Sequence, residues 1–359
     1  MNDVGELKRH IVVHGRSQGL TARRMALVLD RVHHDGDGPG SWVGEWSAVA
    51  AAHDRAGRPL DASRLYALAR FPYVDGPARA RAQERCVDAF DRWAADRPGV
   101  GRITPDLPGG PVPCLVSGLS TTDPKPLLLV LGGIVSVKEQ WAPILAQATR
   151  MGMAALVAEL PGVGQNPLRY DADSWRLLPA LLDAVKDRAD VSATHAIALS
   201  FGGHLALRAA AEDPRLRGVV TAGAPVSRFF TDPVWRAGVP RITTDTLDHL
   251  SGGADLTGLA LTREQLRAVR IPVAYAVSAR DGIIPRAESE LLRACLDDVT
   301  TLVTDDVHGS PDHATRTRLW TVLSVQRMRG ATGPQPALLA AAVALLGATS
   351  AVRRPNRRW

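Results

Sequence analysis

The chain has 359 residues, 45% hydrophobic and 22% charged, a globular composition that excludes a disordered chain and leaves room for one large core plus a smaller unit. Its net charge of +6 owes four units to Arg353, Arg354, Arg357 and Arg358, and no basic stripe interleaved with aromatics remains elsewhere, so nucleic acid is not an expected partner. Cys86, Cys114 and Cys295 are too far apart for a zinc site or a disulfide framework, which suits a reducing, cytoplasmic setting.

The N-terminal ten residues carry acids and no long apolar run, unlike a secretory signal. Helical periodicity then predicts helices over 20–33, 41–56, 61–70 and 76–96, an N-terminal helical unit over residues 1–100. Trp42 and Trp46 share one face of the second helix, as core packing would have them. Residues 98–113, rich in glycine and proline, read as a linker.

From residue 112 the pattern changes. Strands are expected at 112–119 (an edge strand), 127–131, 154–158, 194–199, 218–222, 273–277 and 300–304. Helices are expected at 140–150, 175–189, 203–211 and 286–295. Continuous apolar strands separated by helices imply a buried, mostly parallel sheet, here over residues 112–330. Residues 227–249, with Arg228, Phe229, Phe230 and Trp235, read as an insertion near the cleft. Residues 331–359 form an apolar and basic tail, whose apolar stretch 337–352 is shorter than the roughly 20 residues of a membrane span.

Within the 194–199 strand pattern the chain runs Ala198-Leu199-Ser200-Phe201-Gly202 and continues as a helix. Strand, sharp turn and helix with a serine at the apex is the nucleophile-elbow pattern, with alanine in place of its first glycine. A serine needs a base, and the base an orienting acid. In α/β-hydrolases these follow in the order serine, acid, histidine, each after a strand. Asp281 follows the 273–277 strand and is the expected acid. His308 follows the 300–304 strand and is the expected base, with His313 as the alternative. His195 and His204, close to Ser200 in sequence, are expected to pack rather than react. The backbone N–H of Phe201, with that of Gly133 or Ile134 from the glycine loop after strand 127–131, would form the oxyanion hole. The expected fold is therefore an α/β-hydrolase with a mostly parallel central sheet and an N-terminal helical unit. No cofactor or metal is implied.

Gly132-Gly-Ile-Val-Ser-Val-Lys138-Glu139 resembles the GGL-acid-S-x-KE loop of the FrsA-like α/β-hydrolases. Glu159-Leu-Pro-Gly-Val-Gly164 resembles their strand-end D/E-x-PG-x-G turn, and the helical region with Trp42, Trp46 and residues 57–69 is similar to theirs. The likeness runs from about residue 20 to 325. It implies that the N-terminal helices cover the active site and, by analogy, that the protein forms a homodimer. It also implies one of several chemistries: ester hydrolysis, C–C hydrolysis of a pyridine-alkaloid ketone, or polyketide-pathway reactions that include acetate elimination from acylated tetronates. Val135 stands where the family has an acid, which speaks against C–C hydrolysis.

The residues thus favour a serine acyl hydrolase acting on an ester or thioester of a medium-sized, partly hydrophobic small molecule. A lyase eliminating a carboxylic acid from an acylated intermediate is the second reading. A non-catalytic binding protein on the same scaffold is the third.

Overall fold

The computed structural model describes residues 2–352, so the four tail arginines lie outside the described residues. Five helices come first: α1 (Val4–Ser17), α2 (Ala22–Leu29), α3 (Trp42–Arg55), α4 (Pro59–Ala69) and α5 (Pro77–Ala95). They enclose a core of their own around Leu7, Ile11, Trp42, Trp46, Leu65 and Leu68. Trp42 and Trp46 lie with ring centroids 6.0 Å apart, and the Trp42 indole donates to the Leu68 carbonyl at 3.0 Å. The polar edge of that buried ring is thereby satisfied.

An extended segment follows: β1 (Val100–Ile103), a short hairpin of β2 (Asp106–Leu107) and β3 (Gly110–Pro111), and β4 (Cys114–Ser117). Then strands and helices alternate: β5 (Pro126–Leu131), α6 (Ala142–Arg150), β6 (Ala154–Ala158), α7 (Leu177–Val185), β7 (Asp190–Ala198), α8 (Phe201–Ala210) and β8 (Leu216–Ala222). Four helices come next, α9 (Arg228–Thr231), α10 (Pro233–Gly238), α11 (Arg241–Ser251) and α12 (Arg263–Ala268). The chain closes with β9 (Val273–Ser278), α13 (Arg286–Cys295), β10 (Val299–Thr304), α14 (Ala314–Met328) and α15 (Pro334–Val352).

The main sheet has the order β1-β4-β6-β5-β7-β8-β9-β10. Its pairs from β6 through β10 are parallel, while β1 and β4 run antiparallel to their neighbours. β5 shows why the sheet is buried on both faces. Leu127, Leu129 and Leu131 pack with α7, α8 and α13 on one side, and Leu128 and Val130 pack with α6 and α14 on the other. The strand order reverses at β5, between β6 and β7. Such a switch point opens a crevice at the carboxyl ends of the strands. The loop after β5 and the Ser200 turn after β7 meet there.

Three sequence expectations change. β4 is not the edge strand, because β1 pairs outside it, within what reads as a linker. The expected helix over 20–33 is only α2, and α1 was not anticipated. α1 buries Leu7, Ile11 and Gly15 at helical spacing and starts at Asp3, whose carboxylate caps the Glu6 N–H at 2.7 Å. The apolar stretch near the C-terminus is α15, packed on α14 through Val343, and no helix among the described residues is long and apolar enough to cross a membrane.

Leu129 is fully buried at the centre of β5. Leu129→Ala is expected to lose about 2–5 kcal/mol of stability, read as a lower urea midpoint; an unchanged midpoint would place the core elsewhere.

Candidate active site

Ser200 sits at φ 53°, ψ −125°, and it and Ser310 are the non-glycine residues with positive φ among the described residues. A strained backbone at the strand-to-helix junction lifts the hydroxyl clear of the chain. Its neighbours are small because space is short. A Cβ on Gly202 would lie 2.5 Å from the Gly132 carbonyl, and one on Gly203 would lie 2.0 Å from Thr221 Oγ1. Alanine is accommodated at 198, in the fully buried end of β7.

The structure brings three of the expected residues into one hydrogen-bonded line. The Ser200 hydroxyl lies 3.3 Å from His308 Nε2, and His308 Nδ1 donates to Asp281 Oδ2 at 2.8 Å. The other Asp281 oxygen accepts from the backbone N–H groups of Ile283 and Ile284, both at 2.9 Å. The carboxylate is thus fixed as an acceptor. Burial alone would lower the pKa of His308, but the charge of Asp281 and its hydrogen bond outweigh it and raise the pKa above the ordinary value. His313 instead bonds Asp306 at 3.0 Å, away from the serine. His204 donates to the Leu259 carbonyl at 2.7 Å, and burial lowers its pKa to about 4, so it packs as a neutral ring. His195 lies within β7, near the Ala193 carbonyl.

Gly133 approaches the serine closely: a Cβ there would be 3.1 Å from Ser200 Cβ. Among the described residues, the N–H groups of Phe201, Gly133 and Ile134 have no hydrogen-bond acceptor. They are available to a substrate oxygen.

Behind the glycine loop lies a buried ion cluster. Lys138, Glu139 and Glu159 are 0–1% exposed. Lys138 Nζ reaches Glu159 at 3.2 Å, Glu139 at 3.0 Å and Gln165 at 2.7 Å, while its backbone N–H donates to Glu159 at 3.1 Å. Burial opposes the ammonium's charge, but the two carboxylates prevail and raise its pKa. The cluster ties the loop after β5 to the end of β6. Gly164, at φ 59°, belongs to it, because a Cβ there would lie 2.0 Å from Glu159 Oε1. The KE and E-x-PG-x-G motifs thus meet each other.

Several supporting residues had no role assigned from the sequence, although residues 227–249 were expected near the cleft. Gly223, at φ 56° after β8, leaves room for the His308 ring, since a Cβ would be 2.7 Å from Cε1. Ser310 Oγ bonds both Ser278 and Thr304, at 2.8 and 2.7 Å, and so anchors the His308 loop. The Trp235 indole donates to the Ile283 carbonyl at 2.8 Å, beside Asp281. Phe229 and Phe230 stack edge-on with Phe201 beneath the elbow, and Glu288 accepts from the N–H groups of Ser227 and Phe229. The 227–249 insertion therefore braces the acid loop and the elbow helix.

The first N-terminal helix lies against the loop that carries His308. Val13 of α1 packs on Gly309, next to His308, and Arg16 forms an ion pair with Asp312. At the other end of α1, Glu6 accepts from the Arg241 and Ile242 N–H groups that open α11, at 3.2 and 2.9 Å. Among the described residues, no three His, Cys, Asp or Glu side chains gather as a metal site would need.

Lys138→Met would leave Glu139 and Glu159 buried without their cation. The expected cost is about 3–5 kcal/mol, seen as a lower thermal midpoint, together with reduced activity of any folded protein. A midpoint equal to wild type would show that the cluster does not hold the loop.

The family described as Esterase FrsA-like matches residues 28–279. Esterase FrsA of Klebsiella pneumoniae strain 342 is 27% identical over 244 residues, covering 63% of this chain and 59% of its own length. Esterase FrsA of Photobacterium profundum is 25% identical over 280 residues, covering 72% of this chain and 66% of its own length. The chain spans about three-fifths of the length of these curated relatives. Among solved structures, AbyA5 superposes with a TM-score of 0.92 at 52% identity, over 96% of this chain and all of that one. The 2,6-dihydroxy-pseudo-oxynicotine hydrolase superposes with a TM-score of 0.70 at 20% identity, over 90% of this chain and 97% of its own, a likeness of fold alone. The chain belongs to the FrsA-like esterase family and has the α/β-hydrolase fold.

Proposed function

We propose that the protein is a serine-dependent acyl hydrolase that cleaves an ester or thioester of a medium-sized, partly hydrophobic molecule. The Ser200–His308–Asp281 hydrogen-bonded line carries this reading. Ser200 attacks the acyl carbonyl while His308 Nε2 takes its proton. Asp281 holds the Nδ1–H tautomer and stabilises the imidazolium that forms. The carbonyl oxygen, now an anion, accepts from the N–H of Phe201 and from that of Gly133 or Ile134, each donor worth about 3–4 kcal/mol in the transition state. The imidazolium then protonates the leaving alcohol or thiol. A water activated by the same base releases the acid and restores the serine. Free, buried cysteines support a reducing, cytoplasmic setting.

Elimination of a carboxylic acid is the second reading. It uses the same His308–Asp281 pair as base and orienter, with Ser200 positioning the substrate rather than attacking it. In that reaction the base takes a substrate C–H proton, a carbon–carbon double bond forms, and the carboxylate leaves with its bonding electron pair. Product analysis separates the two, since hydrolysis yields an alcohol and elimination an alkene.

Intact mass after fluorophosphonate treatment tests the first reading: one adduct is expected on wild type and none on Ser200→Ala. An unlabelled, folded wild type would overturn it. The pH profile gives a second check. His308 must be neutral to accept a proton, so kcat/KM is expected to rise with pH through a pKa above the ordinary 6.5. In Asp281→Asn the raising influence is gone and burial remains, so that limb should move to lower pH, with kcat reduced by about 10³–10⁴. A limb that does not move would show that Asp281 does not act on His308.

A further inference from the structure

Charge is unevenly divided along this chain. Residues 313–359 hold eight arginines and no Asp, Glu or Lys, although the whole chain has a net charge of only +6. A segment of +8 is therefore joined to a remainder of −2, by +6 less +8. Four of the arginines belong to residues 316–329 and four to residues 353–358, and residues 330–352 between them carry no charged side chain.

The helix α15 occupies most of that uncharged stretch, and it is apolar on two faces. Leu339, Ala340 and Val343 pack inward, toward the core shared with α14. Arg316 of α14 donates to the Val343 carbonyl at 3.3 Å and lies against Gly347, which seats the helix on that side. The other face is turned to solvent. Ala337, Leu338, Ala341, Ala344, Leu345 and Ala348 recur at the three- and four-residue spacing of one helical face, and all are exposed. Leu338 and Leu345, one above the other on that face, are 70% and 66% exposed. An ordinary surface helix carries polar and charged residues there. Residues 337–348 include none.

Whatever covers this face must accept aliphatic side chains and also tolerate the positive charge on either side of them. A second copy meets the first condition alone, because pairing α15 with itself would bring two +8 segments together. A bilayer with anionic headgroups meets both: its acyl boundary takes the leucines and its surface potential attracts the arginines. No helix among the described residues is long and apolar enough to cross a membrane, so the contact would run along the surface.

We propose that the solvent face of α15, with the arginines that flank it in sequence, docks the protein on an anionic lipid bilayer. The proposal is independent of the acyl-transfer reading, since neither Ser200 nor His308 takes part.

Sedimentation of the full chain with sucrose-loaded vesicles tests it. Vesicles of phosphatidylcholine containing about 30% phosphatidylglycerol are compared with vesicles of phosphatidylcholine alone. At about 0.1 M salt the anionic vesicles are expected to bind about a hundredfold more tightly, and the preference should shrink at about 0.5 M salt as the charges are screened. Leu338→Gln with Leu345→Gln should weaken binding to the anionic vesicles about tenfold or more, at an unchanged thermal midpoint because both side chains are exposed. Arg353→Gln, Arg354→Gln, Arg357→Gln and Arg358→Gln together should reduce the preference for anionic vesicles to within about tenfold. No binding to the anionic vesicles, equal binding to both kinds, or an affinity that the leucine changes leave alone overturns the proposal. So does a lipid-free dimer, seen by light scattering, that the leucine changes dissociate, since the face would then belong to a second copy. Should the leucine pair lower the thermal midpoint, the arginine variant still decides, because those residues lie beyond α15.

Discussion

The backbone of Ser200 is the constraint around which the crevice is arranged. A non-glycine residue at φ 53° is held there only if its surroundings over-determine it. Its N–H donates to the Ala222 carbonyl at 2.8 Å, which fixes the turn to β8. The helix it launches runs so close to the β5 loop and to β8 that Gly202 and Gly203 cannot carry a side chain without displacing backbone or Thr221. Three strand ends are thus brought within van der Waals contact of one residue. Gly223 extends the same requirement to the histidine ring.

The loop that supplies Gly133 and Ile134 has a different kind of support. Lys138 hydrogen-bonds Glu159 and forms an ion pair with Glu139 in a buried interior, where such interactions are strong and an unmatched partner is costly. Apolar packing alone would let a glycine-rich loop drift. Charges with fixed geometry hold it in one register against the serine. The histidine loop is held instead by hydroxyls, through Ser278, Ser310 and Thr304, and by Asp306, which accepts from the Asp312 N–H. Neutral hydroxyls beside His308 add no charge that would compete with Asp281 for its proton.

What the sequence made legible was local. Ser200, Asp281 and His308 could be singled out because each follows a short strand-like run, rich in β-branched or apolar residues, and stands in a loop of small or turn-forming residues. That pattern is written within about ten residues. The β5 strand was legible for the same reason, its alternate leucines serving two helical layers. The missing parts depend on distant partners. α1 has an ordinary amphipathic pattern interrupted by charged residues, and its significance lies in contacts with residues 241, 242 and 312. Gly223 looks like any turn glycine until His308, far along the chain, is placed against it. β1 was lost in a glycine- and proline-rich stretch because pairing with β4, not local propensity, makes it a strand.

The two ends of α1 have a consequence for the order of events during synthesis. Glu6 meets residues 241 and 242, and Arg16 meets residue 312. During synthesis α1 therefore waits for 235 to 296 further residues before its partners exist. The helices α3 to α5 can associate with one another early, since their contacts are local. α1 can dock against Gly309 and Asp312 only after β10 and the segment beyond it have emerged. The contacts of α1 are thus made late, by docking onto an already formed sheet rather than by early local collapse.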